Sequence, residues 1–424
     1  MTLEPATERR GSNEPRNRGV QPQVPSLYIH IPFCKRKCNY CDFISYAGKE
    51  NFIDRYVEAL CQEIKSLTPC PPSPPTGRQV PEGEGELRTV YFGGGTPTLL
   101  EPHHFDKIIS SINSAFGIQN LEFSVEANPG TADQAKLKAL KELGINRLSI
   151  GVQSFNDENL KTLGRIHDAA TARQFYEDAR AAGFTNINLD LIFALPGQTV
   201  AQWKEDLWAA VALGPEHISA YNLQIEEGTP FYKWFSEPAT ERRGSSSAIR
   251  EETAKPCLPA GRFIRRFPSG IQLPSEDDEL AMYEFTIETL WLSGYKHYEV
   301  SNFCRPGLEC RHNLAYWQNR NYIGIGAAAH SHINGQRWAN PSTIEDYLST
   351  DYGLQATDAP GPDQRETIFM GLRLLDGLHH DNFRGFEKEV NELVRSGLLI
   401  KNGEKIKLTR KGLYLANEVF EQFV

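Results

Sequence analysis

A chain of 424 residues, 40% hydrophobic and 23% charged, has room for a barrel-sized domain plus a smaller one and reads as an ordinary soluble protein. Its formal net charge of −9 excludes a general attraction to nucleic acid or anionic lipid, and no run of about 18 apolar residues marks a membrane span. Eight cysteines without framework spacing exclude a disulfide scaffold, so a reducing compartment, the cytoplasm, is expected.

Residues 1–25, rich in Pro, Arg, Asn and Glu, lack periodicity and are expected to form a disordered tail. From Leu27 onward, short β-type runs alternate with helical patterns. Strands are expected at Leu27–Ile31, Thr89–Phe92, Leu121–Glu126, Arg147–Val152, Ile187–Phe193 and His217–Ile225. Ile53, Tyr56, Val57, Leu60 and Ile64 recur at helical spacing, and further helices are expected at Ala169–Ala182 and Ala201–Leu213. Thr131 to Gln134 has the form of a capping box before a helix that Gly144 ends. Six β-α repeats imply an α/β fold with a parallel sheet, and apolar runs such as Ile187–Phe193 suit strands covered on both faces. Periodicity alone does not separate an open sheet from a barrel.

Two stretches break the alternation. Residues 70–86 form a Pro/Gly-rich loop, and residues 237–275 carry Arg, Ser and Pro clusters without sustained periodicity. The nonapeptide EPATERRGS stands at Glu4–Ser12 and again at Glu237–Ser245, which marks both copies as inserted sequence. Residues 276–362 read as a barrel-capping and connecting region. From Asp363 the pattern is helix, short helices, a KNGEKIKLT hairpin and a closing helix, resembling a winged-helix module. That module has 10 Lys and Arg against 10 Asp and Glu, whereas a DNA-binding wing is expected to be basic, so no nucleic-acid partner is expected.

The chemistry is concentrated in YIHIPFCKRKCNYCDF, residues 28–43. Cys34, Cys38 and Cys41 fall at C-x3-C-x2-C spacing directly after the first strand. Thiolates are the ligands of iron–sulfur clusters, and three on one short loop suit a 4Fe–4S cubane with one iron left open. A structural zinc site takes four protein ligands, and no second Cys pair lies nearby. His30 would stand on the far side of Pro32. The cubane is therefore the expected metal centre.

This loop after a YIHIPFC strand resembles the radical S-adenosylmethionine superfamily. The likeness is narrower still to the branch holding oxygen-independent coproporphyrinogen III oxidase and the HemW-like heme chaperones. It implies a partial (β/α)6 barrel over residues 26–234, open on one side, with S-adenosylmethionine on the open iron. The Gly93-Gly94-Gly95-Thr96 segment resembles the one that receives the cofactor's amino group, with Gly94, Gly95 and Thr96 carried over. Glu126, Gln153, Arg165 and Asp190 resemble positions lining cofactor sites. Tyr28 and Tyr40, which flank the loop, and His330 in GIGAAAHS are carried over on the same ground; Ala328 stands where a glycine is usual.

The branch divides on few residues. The oxidase places a further cysteine two residues after the third; here that position is Phe43, as in the chaperones. Only an irregular tail precedes Tyr28, where the oxidase has a longer segment. His312, Asn313, Tyr316 and Trp317 match the chaperones' H-N-x-x-Y-W motif, which implies heme contact, with His312 or His330 as axial ligand. The resemblance thus implies a heme chaperone that passes heme to hemoproteins, respiratory ones at the cytoplasmic membrane among them, with an electron donor and a homodimer as further partners. The alternatives are the oxidase itself and a heme-binding module with an inactive barrel.

Overall fold

A computed structural model describes residues 26–67, 87–116, 121–236, 272–350 and 363–424. The tail 1–25, the loop 70–86, most of the insertion 237–275 and both nonapeptide copies lie outside the described residues.

In chain order the first strands are β1 (Ser26–Ile31), β2 (Phe33–Cys34), β3 (Tyr46–Ala47), β4 (Thr89–Gly94) and β5 (Glu122–Ala127). Next come β6 (Arg147–Gln153), β7 (Ile187–Phe193), β8 (His217–Asn222), β9 (Lys296–Glu299) and β10 (Asn302–Cys304). The remainder are β11 (Tyr322–Ile325), β12 (His330–Ile333), β13 (Gln336–Ala339), β14 (Leu378–His379), β15 (Leu399–Asn402) and β16 (Lys405–Leu408). One 11-stranded sheet runs β13-β12-β11-β1-β4-β5-β6-β7-β8-β10-β9, and its two edges do not pair with each other. Strands β1, β4, β5, β6, β7 and β8 are the six parallel strands of the partial barrel.

The stretch 276–362, read from the sequence as a barrel-capping and connecting region, supplies both edges of this sheet. On one side β11 joins β1 in parallel and carries the antiparallel hairpin β12–β13. On the other, β10 pairs antiparallel with β8 and β9. These strands are short and their pairing is set by distant partners, so no local period revealed them.

Helices cover the outer face. In Ile53–Ser66 the expected stripe of Ile53, Tyr56, Val57, Leu60 and Ile64 is buried. The helix Gln134–Glu142 corrects its predicted start: Asp133, not Thr131, caps it by accepting from Lys136 N. Thr131 instead pairs with the Thr98 hydroxyl and donates to Asn128 O. A true capping box, Thr199 with Gln202, opens Val200–Leu213.

Residues 363–424 fold around a second core that includes Ile368, Phe383, Val390, Leu399 and Phe423. The expected hairpin is β15–β16, with β14 added beside β16.

Candidate functional site

The cysteine loop leaves β1 at the carboxyl end of the parallel strands, where barrel chemistry is housed. Cys34 is buried in β2, which pairs in parallel with β3. Asn39 fastens the middle of the loop: its backbone N–H donates to Leu163 O at 2.9 Å, its side-chain amide to Thr162 O at 2.9 Å. Gly164, at φ 75°, turns there because a Cβ would stand 3.0 Å from the Asn39 amide. Asn39 is thus a docking residue.

The glycines after β4 have an equally concrete reason. Gly95 N donates to Ile31 O at 2.9 Å and Thr96 N to Phe33 O at 2.7 Å, which seats the segment against the cysteine loop. A Cβ on Gly95 would stand 2.6 Å from Phe33 O. Gly94 has φ 108°, and a Cβ there would meet the His30 ring.

A hydrogen-bonded chain then links two of the three cysteines across three strand ends. Thr96 Oγ1 donates to Cys34 Sγ at 3.6 Å, and Asn128 Nδ2 donates to Thr96 Oγ1 at 2.8 Å. Arg165 Nη2 donates to Asn128 Oδ1 at 2.5 Å, while Arg165 Nη1 donates to Cys38 Sγ at 3.4 Å. Arg165 also reaches Gly151 O at 2.6 Å. Cys38, Thr96, Asn128 and Arg165, with Lys35 and Arg36, line a cleft of about 270 Å³ counted with the solvent at its mouth. Sequence reasoning credited Glu126 in EANP and missed Asn128; its one signal was a polar residue between a strand end and Pro129.

Cys34, Cys38 and Cys41 are all free thiols on this one loop. A structural zinc takes four protein ligands. A cubane binds each thiolate to a different iron and can leave one iron open. His30 is no fourth ligand, because Nδ1 pairs with the Tyr28 hydroxyl at 3.0 Å and Nε2 with Ile44 O at 2.9 Å. Burial and the neighbouring thiols push the Cys41 thiol up to about 11, so the protein without metal holds it protonated. The cationic Arg165 and Lys37 beside the loop are what a thiolate-bound anionic cluster requires.

Glu126, near the end of β5, accepts from Tyr91 OH at 2.9 Å and Gly94 N at 3.1 Å. Burial first, then the charge of Asp190, raises its pKa to about 7. Asp190 sits in the middle of β7, held by Ser149 Oγ at 2.9 Å and Asn188 Nδ2 at 2.8 Å, and burial raises its pKa too. Gln153 ends β6 with φ 68°, and its buried Oε1 has no partner among the described residues. An acceptor left open at this strand end fits a cofactor that presents an ammonium and a sulfonium. Tyr40 packs on the cluster of Leu163, Leu195 and Phe231, behind the loop.

The H-N-x-x-Y-W residues are placed elsewhere. His312 pairs with Thr89 Oγ1 at 2.9 Å through Nδ1 and with Tyr316 OH at 3.1 Å through Nε2. Its ring stacks on Tyr91 at 4.9 Å, and burial lowers its pKa to about 3. Thr89 starts β4, so His312 lies some five residues, about 16 Å, from the Gly94 bend along the strand. The helix Arg311–Trp317 therefore closes the amino end of the barrel. In this structure His312 is 1% exposed and both of its ring nitrogens are paired within the fold. Tyr316 packs edge-on to Tyr322 at 4.6 Å, and Arg373 covers Trp317 at 4.4 Å, so neither ring has a free face for stacking on that side. Asn313 is half-buried on the same helix. His330 is exposed at the start of β12, after Ala328, whose φ of 58° explains why glycine suits that position.

Residues 28–207 match the radical SAM superfamily and residues 364–415 the HemN C-terminal domain. Heme chaperone HemW of Lactococcus lactis is 35% identical over 413 residues, 94% of this chain and 97% of that protein. The HemW of Bacillus subtilis is 34% identical over 418 residues, 95% and 99% of the two chains. Among solved structures, coproporphyrinogen III oxidase (HemN) from Escherichia coli shares the fold with a TM-score of 0.72. It is 23% identical over 95% of this chain and 90% of that one.

Proposed function

Because this chain belongs to the HemW heme chaperone family of the radical SAM superfamily, we propose that it binds heme and hands it to hemoprotein acceptors. A 4Fe–4S cluster and S-adenosylmethionine come with the superfamily. When bound, they supply a one-electron donor and a cleavable sulfonium at the barrel mouth. Cys34, Cys38 and Cys41 are the cluster ligands in this reading. The supporting observation is three free cysteines on one loop docked through Asn39, two of them accepting hydrogen bonds from Thr96 and Arg165.

The chain's own residues then have separable tasks. Arg165 and Thr96 donate to two of the cluster sulfurs, and Asn128 holds both donors in place. Gly95 brings the second strand end close enough to share the mouth. Glu126 and Gln153 offer acceptors to the cationic groups of the cofactor, with Tyr28 and Asp190 deeper in the barrel. No helix among the described residues is long and apolar enough to cross a membrane, so delivery to a membrane acceptor requires docking from outside the bilayer. Such an acceptor, an electron donor and a cytoplasmic location are part of the proposal.

The test is anaerobic reconstitution followed by hemin titration and transfer to an apo-hemoprotein. Loaded protein should carry close to four irons and four sulfides per chain and lose heme to the acceptor. Zinc in place of iron, or heme that stays bound, refutes the reading. Incubation with coproporphyrinogen III, reductant and S-adenosylmethionine addresses the oxidase alternative, which Phe43 at the fourth cysteine position disfavours; no protoporphyrinogen is expected.

A further inference from the structure

A histidine can ligate heme iron only through a ring nitrogen whose lone pair is free and reachable. The chain has 11 histidines. Both ring nitrogens are paired in His30, His104, His217, His312 and His332. His167 and His297 hold backbone carbonyls from below the surface. His379 and His380 are engaged with Asp381 and Glu404. That leaves His103, which stacks on His104 beside the Asp54 carboxylate on the outer helix layer, and His330. His330 is exposed, and its ring has no hydrogen-bond partner among the described residues.

Its position suits the task. Strand β12 runs antiparallel to β11, which is parallel to β1, so His330 begins β12 at the same end of the sheet as the cysteine loop. Two residues on, His332 faces Tyr322 across the ladder with ring centroids 5.9 Å apart. Tyr322 in turn packs on Tyr316, which bonds His312 against Tyr91. Residues two apart share a face, so His330 stands on the face that lines the barrel, one strand in from the β13 edge.

The turn that carries it is fixed. Glu63 accepts from Gly326 N at 2.9 Å and Asn340 Nδ2 at 2.7 Å, and Tyr56 OH accepts from Ala327 N at 2.8 Å. The same Tyr56 hydroxyl donates to His30 O. His30 Nε2 holds Ile44 O, so the turn before His330 and the end of the cysteine loop meet on one residue. There, Phe43 is 63% and Ile44 39% exposed, apolar surface that none of the described residues covers. A porphyrin needs an axial nitrogen and apolar side chains against its face, and this corner supplies both.

We propose that His330 is the axial ligand of heme iron, at the barrel mouth one strand in from the β13 edge, with Phe43 and Ile44 against the porphyrin. This rests on the chaperone reading and moves the heme site from the buried H-N-x-x-Y-W helix to the cluster end. The test titrates hemin into the full, cluster-loaded chain and follows absorption and EPR spectra. His330→Ala should lose the imidazole-type spectrum and bind hemin roughly tenfold or more weakly, with added imidazole restoring the spectrum. Phe43→Ser should weaken binding several-fold with the spectrum kept, and His103→Ala should match the unaltered chain; iron–sulfur content should be unchanged in all three. A His330→Ala protein with the original spectrum and affinity, or loss of the spectrum in His103→Ala instead, overturns the assignment. An unaltered chain that takes up no hemin sinks the chaperone reading, and this assignment with it.

Discussion

Asn128 is the residue whose removal most directly tests the site. It donates to Thr96 at 2.8 Å and accepts from Arg165 at 2.5 Å, joining the donors of Cys34 and Cys38. Asn128→Ala deletes a neutral hydrogen bond, about 1 kcal/mol, and a charge-assisted one, about 1.5–3 kcal/mol. Arg165 keeps Gly151 O, so the second loss falls at the lower end and the total is about 2–3 kcal/mol. Urea denaturation of the metal-free protein reads that difference. Iron content and the EPR signal of the reduced cluster read its consequence, since both sulfur donors become free to move. Asn128→Asp keeps the acceptor for Arg165 but loses the donor to Thr96 and sets a carboxylate beside the thiolates. It should recover part of the stability and make the cluster harder to reduce. If Asn128→Ala unfolds within about 0.5 kcal/mol of the unaltered chain and its EPR signal is unchanged, the hydrogen-bonded chain does not support the cluster.

Cys38→Ser should lower iron and sulfide after reconstitution with the fold intact by circular dichroism; unchanged iron would count against the cluster. In Gly95→Ala, a methyl 2.6 Å from Phe33 O has to displace backbone, at a cost of about 1–3 kcal/mol, measurable as a lower urea midpoint together with poorer cluster loading. Glu126 is raised to about 7 in the fold, so the folded state binds its proton more tightly than the unfolded one. Its contribution is intact at low pH and is lost as pH rises from about 4.3 to about 7, roughly 3 kcal/mol in all. Glu126→Gln, which keeps an acceptor for Gly94 N and turns its amide toward Tyr91, should gain stability over the unaltered chain progressively across that window. Parallel denaturation curves at pH 5 and pH 8 with no change in the difference would refute the burial of a charged carboxylate there.

Much of the fold was legible because helix and strand periods are local. The six parallel strands and the stripe of Ile53, Tyr56, Val57, Leu60 and Ile64 were readable from spacing, as was the loop that places three thiolates after β1. What residues touch at a distance was not. Thr131 had the spacing of a cap, yet Thr98 and Asn128 compete for its hydroxyl and Asp133 takes its place. Asn128 and Asn39 look like ordinary polar loop residues until residues 32 to 123 positions away come to meet them. His312 and His330 are both imidazoles in motifs, and only tertiary packing separates them. One is buried at the amino end of the barrel with both lone-pair positions spent, and the other is exposed at the carboxyl end with none. Residue type and spacing thus determined what chemistry the chain can perform. Burial and hydrogen bonding, which depend on neighbours remote in sequence, decided which of the capable groups remain free to perform it.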